Sequence, residues 1–138
     1  MHPPLEACWD LPQDVAALSK VREIVHSTLH AWGLGGVADD IVIVVSELCA
    51  NAMSYGQPPI TLTLHLVDQH IDGEVTDGGA VFVPPQRSAP DDPSHLLVTL
   101  SERGRGLVMV SSLTTAWGFS PAPRGGKTVW FTSSLGRH

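Results

Sequence analysis

Four short stretches of the chain carry residue types suited to phosphate and metal chemistry. The first is Glu47-Leu48-Cys49-Ala50-Asn51-Ala52. At about 100° per residue on a helix, Glu47 and Asn51 stand one turn apart on the same side, at the edge of the apolar stripe. A carboxylate and an amide presented together suit a metal–triphosphate site. Asn51 offers a neutral oxygen to Mg²⁺, and Glu47 can orient or deprotonate an attacking hydroxyl. The same pair also fits the ordinary polar face of an amphipathic helix. The second stretch is Asp77-Gly78-Gly79, at the end of a strand. Strand parity puts Asp77 on the face of Ile71 and Val75, toward a covering layer, where a carboxylate needs a partner. The amino group of adenine is a suitable one, although Asp-Gly-Gly also reads as a turn that opens a loop.

The third stretch, Arg103-Gly104-Arg105-Gly106-Leu107, leads into an apolar helix. Glycines at a helix start let backbone N–H groups approach phosphate, and the helix dipole favours the anion. Arg103 and Arg105 add cations that can fork onto phosphate oxygens. No strand of a βαβ unit precedes it, so the dinucleotide fingerprint is not met, and a flexible helix start with solvated arginines fits as well. The fourth stretch is Gly125-Gly126-Lys127-Thr128. Gly-Lys-Thr invites a P-loop reading, but position 121, where that motif needs its first glycine, is Pro121, and the segment enters a strand instead of a helix. It reads as a hairpin turn from which Thr128 can approach a nucleotide.

The elements that must position these residues follow from periodicity. Residues 5–10 alternate weakly and fit an edge strand. Leu18, Val21, Val25, Leu29 and Trp32 recur at spacings of three and four, giving a helix over about 12–32. Gly33, Gly35 and Gly36 end it. Asp39 and Asp40 open a second helix over about 37–55, with a stripe of Ile41, Val44, Val45, Leu48, Ala52 and Tyr55. Residues 60–67 and 70–77 read as two strands joined by a tight turn at Asp68-Gln69. The Pro- and Asp-rich segment of about 78–103 fits a functional lid, with a short helical piece at 94–102. A helix over 104–114 and strands over 115–120 and 127–133 complete the chain. The order β-α-α-β-β-lid-α-β-β predicts an α/β fold. It is an α+β two-layer sandwich whose mixed, mostly antiparallel sheet carries helices on one face.

Composition narrows the setting. The 138 residues suit a single domain, and 43% apolar with 16% charged residues is a globular balance. A net charge of −6 with eight Lys and Arg argues against nucleic-acid binding, which needs a basic face. It leaves a nucleotide possible, since backbone N–H groups, a metal and one or two cations can hold one. Cys8 and Cys49 lack ligand spacing, and Cys49 reads as a small buried residue. His26 and His30 are four apart on a helix without a third ligand nearby in the sequence, which favours solvent-facing positions over a metal pair. No run of about 18 apolar residues is present to span a membrane. The N-terminal MHPPLEACWD lacks the charge and apolar core of a leader, so the expected location is cytoplasmic.

Taken in order, Glu-x-x-x-Asn, Asp-x-Gly, a lid, Gly-x-Gly-Leu and Gly-x-Thr resemble the N, G1, G2 and G3 boxes of the GHKL (histidine-kinase-like) ATPase superfamily. The likeness covers nearly the whole chain, 1–138, as one ATP-binding domain. VSELCANAMSYG and the helix pair before it resemble the anti-sigma-factor serine/threonine kinase branch. The resemblance implies ATP and Mg²⁺ as cofactors, Glu47 as catalytic base and Asn51 as metal ligand. It also implies that Asp77 and Gly79 meet adenine, that Arg103, Gly104, Arg105, Gly106 and Leu107 cradle the triphosphate, and that Thr128 lies near the nucleotide. The implied partners are a sigma factor and a small anti-sigma-factor antagonist protein, with the chain as a homodimer. Two positions depart from the pattern. Val81 stands where the G1 box usually has a second glycine, and Tyr55 stands where relatives often have histidine.

Overall fold

The computed structural model describes residues 5–78, 110, 112–121 and 126–135. Five strands and two helices are defined in it: β1 (Leu5–Leu11), α1 (Leu18–Ala31), α2 (Ala38–Tyr55), β2 (Ile60–Val67), β3 (His70–Asp77), β4 (Ala116–Pro121) and β5 (Lys127–Ser134). The first helix begins later than its periodicity suggests. The Asp14 carboxylate accepts from the Ala16 N–H at 3.0 Å, and Asp14 itself is extended (φ −155°, ψ 108°). An Asp held this way caps a helix instead of continuing one. It starts a single 3₁₀ turn, Val15–Ala17, and α1 follows at Leu18. Asp39 and Asp40 lie in the first turn of α2, where the helix dipole favours negative charge. Val110, Ser112 and Leu113 are helical, as expected near the end of the 104–114 helix; Thr114 lies just past it, its hydroxyl donating to the Val110 carbonyl at 2.8 Å, and residues 104–109 and 111 lie outside the described set.

The sheet runs in the order β1-β2-β3-β5-β4. Every pairing among the described residues is antiparallel, so the expectation of a mixed sheet is corrected. The register gives the reason: Leu11 pairs with Ile60, so the α1–α2 excursion returns the chain to the end of the sheet that it left. Ile60, Leu62 and Leu64 of β2, Ile71 and Val75 of β3, and Val129 and Phe131 of β5 are buried beneath the helices. Against them lie Val21, Val25 and Leu29 of α1 and Ile41, Val44, Val45, Leu48 and Ala52 of α2. Tyr55, expected on the same stripe, is 45% exposed because α2 ends there and Gly56 turns the chain away. Cys49 is fully buried, and burial pushes its thiol up to about 12, so it stays neutral and packs as a small apolar side chain. The other sheet face is polar: Glu6 meets His65 at 3.1 Å, and the Thr76 and Thr128 hydroxyls are 2.8 Å apart.

Phe131 fills this core because Gly73, directly opposite on β3, leaves it room. A Cβ at Gly73 would fall 2.2 Å from the Phe131 ring. Gly73→Ala should therefore overpack the core and cost about 1–3 kcal/mol in denaturant unfolding. An unchanged midpoint would mean that the ring has another place to go.

Candidate functional site

The chemistry-bearing residues converge where α2 ends and β3 meets β5. Asp77, the last residue of β3, is 4% exposed and is the one fully buried charged residue among those described. Such a carboxylate needs donors, and Lys127 supplies one: its Nζ donates to Asp77 Oδ2 at 2.8 Å. The two residues are Cα partners across the β3–β5 ladder, so their side chains leave the sheet on the same, helix-covered face. The Lys127 side chain is 14% exposed and that of Asp77 5%, which makes this a largely buried ion pair.

Three glycines set the carboxylate in place. Gly56 follows α2, and a Cβ there would lie 2.7 Å from Asp77 Cγ and Oδ2. Gly78 donates its N–H to the Gln57 carbonyl at 2.8 Å, which ties the end of β3 to the loop after α2. Gly126 passes so close to the Asp77 carbonyl that a Cβ would sit 1.7 Å from it, so only glycine fits the turn into β5. Gln13 adds a bond from the chain before α1, its Nε2 donating to the Gly56 carbonyl at 2.7 Å.

A small recess of about 10 Å³, room for about one water, opens beside the pair, lined by Leu48, Asn51, Ala52, Val75, Asp77, Lys127 and Val129. It brings Asn51 of α2 and Asp77 of β3 into one lining. Glu47, one turn before Asn51, is half-buried and is not in this lining. Thr128 is not brought to the recess either. Its neighbour Lys127 faces the helices, so Thr128 faces the opposite side of the sheet, where it bonds Thr76. Gly79, Arg103, Gly104, Arg105, Gly106 and Leu107 lie outside the described residues, as does the expected lid beyond Gly78. Lys127 is the residue that the sequence reading missed as a site residue. The parity that turned Asp77 inward reaches Lys127 only once the β3–β5 register is known.

The donor set suits a nucleotide better than a bare ion. Among the described residues, no three His, Cys, Asp or Glu side chains stand close enough to hold a metal. A divalent ion near Asn51 would take most of its oxygens from its own ligand, as Mg²⁺ does with phosphates. The His26 and His30 rings meet tilted at 46° with centroids 4.5 Å apart, and His26 Nε2 lies 3.2 Å from Asp39 Oδ1 on the outer surface of the helices, away from this recess.

Comparison with known proteins agrees with this geometry. A family model described as histidine kinase-like ATPase domain matches residues 11–133, and the chain belongs to that family. Among solved structures, it is similar to the crystal structure of the RsbU and RsbW domains of a Mycobacterium tuberculosis protein. That match has a TM-score of 0.60 and 21% identity, over 99% of this chain and 33% of that one. This chain thus spans a third of that relative's length, and at this identity the likeness shows the fold alone. No curated protein matches the chain.

The ion pair gives a measurable coupling. Asp77→Ala leaves the Lys127 ammonium in a mostly buried place and should cost about 2–3 kcal/mol, below the usual cost of a severed buried pair because Lys127 keeps some water contact. Asp77→Ala combined with Lys127→Met should be less destabilised than the sum of the single variants. Strict additivity in a double-mutant cycle would show that the pair contributes no coupling.

Proposed function

We propose that this ATP-binding domain is a regulatory serine/threonine protein kinase of the anti-sigma-factor type. It would use Mg-ATP to phosphorylate a small antagonist protein and would hold a sigma factor as a homodimer. The observation that carries this reading is the buried Asp77 carboxylate sharing the lining of one recess with Asn51, within a chain of the histidine kinase-like ATPase family. The RsbW domain in the similar structure supports the regulatory branch.

In this reading the adenine amino group donates to Asp77, and Gly79 lets the backbone approach the base. Asn51 would help to hold Mg²⁺ through its amide oxygen, and the ion would neutralise charge on the phosphates. Arg103 and Arg105, with the N–H groups of Gly104, Gly106 and Leu107, meet the triphosphate. Glu47 would take the proton of the attacking serine or threonine hydroxyl as its oxygen bonds the γ-phosphorus and ADP leaves. Most of the rate gain comes from positioning and electrostatics. No described helix is long and apolar enough to cross a membrane, and the reading places the protein in the cytoplasm.

A second reading, a nucleotide-dependent binding module without phosphoryl transfer, draws on two observations. Glu47 stands outside the lining of the recess, and Val81 replaces a usual lid glycine.

Mg-ATP at a hundredfold excess over Kd should stabilise the protein by about 2.7 kcal/mol in a thermal-shift or calorimetric measurement. No shift at millimolar ATP or ADP would end the nucleotide reading. Asn51→Ala should lose Mg-dependent affinity and phosphoryl transfer together. Glu47→Gln should bind Mg-ATP like the parent while transfer to the antagonist falls by roughly a hundredfold or more. If the parent binds ATP and a partner yet never transfers phosphate, the binding-module reading stands in its place.

A further inference from the structure

We propose that the outer edge of β1, with an apolar recess beside it, docks an extended segment of another protein in which large apolar residues alternate with Lys or Arg. The recess shares no lining residue with the one beside Asp77, and the inference does not depend on the nucleotide reading. β1 is an edge strand. It pairs with β2 on one side, and among the described residues no strand pairs with the other. Every second residue of such a strand turns its N–H and C=O outward, which makes a template for an added strand. Main-chain bonds of that kind give affinity, and pockets beside them give selectivity.

Such a pocket is present. Between β1 and α1 lies an apolar recess of about 180 Å³, lined chiefly by Trp9 and Leu11 of β1, Val21, Ile24 and Val25 of α1, and Leu62 of β2. An apolar cavity of about 150 Å³ takes up benzene, so this one has room for a single Leu, Ile or Phe side chain. Trp9 and Leu11 are only half-buried and Ile24 is 39% exposed, so part of the apolar lining is open to solvent. A strand added beside β1 continues the sheet. Its alternate side chains then turn to the helix side, where the recess lies.

Charge selects the occupant. Glu6, Cys8 and Asp10 alternate with Trp9 and Leu11 along β1 and so stand on the open face of the sheet, paired with His65, Thr63 and Thr61. Glu6 and Asp10 are exposed carboxylates there. The neighbours of an anchor side chain come to this face, where positive charge is favoured and negative charge is not. The net charge of −6 acts in the same sense. These carboxylates also disfavour a second copy of the chain. Cys8 is the centre of Leu5–Leu11, so fully overlapped antiparallel self-pairing sets Glu6 against the copy's Asp10, like charge on like.

The test is fluorescence anisotropy of the full chain with labelled, end-capped peptides, followed by hydrogen exchange of the β1 amides. The reference peptide is Thr-Lys-Leu-Lys-Leu-Lys-Thr. One control replaces its Lys with Glu, and another replaces its Leu with Ala. The parent should bind the reference peptide saturably and exchange its β1 amides more slowly when bound. Each control should bind about tenfold more weakly or worse, the scale for a truncated anchor or a charge of the wrong sign. Asp10→Lys should bind the Lys peptide about threefold more weakly than the parent and the Glu peptide about threefold more tightly, a reversal that a merely structural role for Asp10 would not produce. A parent that binds none of the peptides at millimolar concentration overturns the proposal, as does one that binds all three alike, and neither result needs a variant to fold. Binding that leaves β1 exchange unchanged places the peptide elsewhere and overturns it too. Self-association that protects the same β1 amides and that the reference peptide does not displace gives the edge to a second copy, which also overturns it.

Discussion

A carboxylate that is 4% exposed has to be answered by donors, and much of the local structure around the end of β3 can be understood as that answer. Lys127 reaches it from β5, Gly56 backs it from the end of α2, and Gly126 slides under its carbonyl. None of these three positions tolerates an arbitrary side chain. The two glycines have no room for a Cβ, and the lysine must reach across a fixed strand spacing. Gly56 and the segment 126–127, distant in sequence, are thereby pinned to one residue. Removing the carboxylate would leave both without the group that they are shaped around.

The antiparallel register makes this pinning possible. Residues directly opposite on neighbouring strands share a face, so a charged residue on one strand can be neutralised by its cross-strand partner at little conformational cost. The same rule sends the next residue to the other face. Lys127 and Thr128 are adjacent in sequence and on opposite sides of the sheet, one in a buried ion pair and the other bonded to Thr76 on the polar surface. A motif that names the threonine therefore draws attention to the neighbour of the residue that meets the recess.

The fold was largely legible in the sequence because its signals are local. Ile60, Leu62 and Leu64 alternate without interruption, and the strand they predict has the observed limits, 60–67. The same holds for 70–77 and for the α2 stripe up to Ala52. Errors fell where a local pattern competes with a longer-range constraint. Pro12 and Asp14 suit a helix start, but the Asp14 side chain caps a separate 3₁₀ turn and β1 runs to Leu11. Tyr55 keeps the stripe's period but lies beyond its cover. The inward turn of Asp77 needed only parity along one strand, whereas its partnership with Lys127 needed the pairing of two strands 50 residues apart. Single-sequence reasoning has no access to that register.

Glu47 and Asn51 show how far one helical turn can separate roles. Both are half-buried at the edge of the same apolar stripe, yet only Asn51 lines the recess with Asp77. A rise of 1.5 Å per residue puts Glu47 about 6 Å further back along α2. If the base lies against Asp77 and the metal lies by Asn51, a reacting hydroxyl has to come to the Glu47 side of the metal, away from the base. That direction agrees with an extended nucleotide whose purine is held by the sheet and whose phosphates run along the helix. In that arrangement the end of β3 would fix one end of the ligand, and α2 would set where its other end can react.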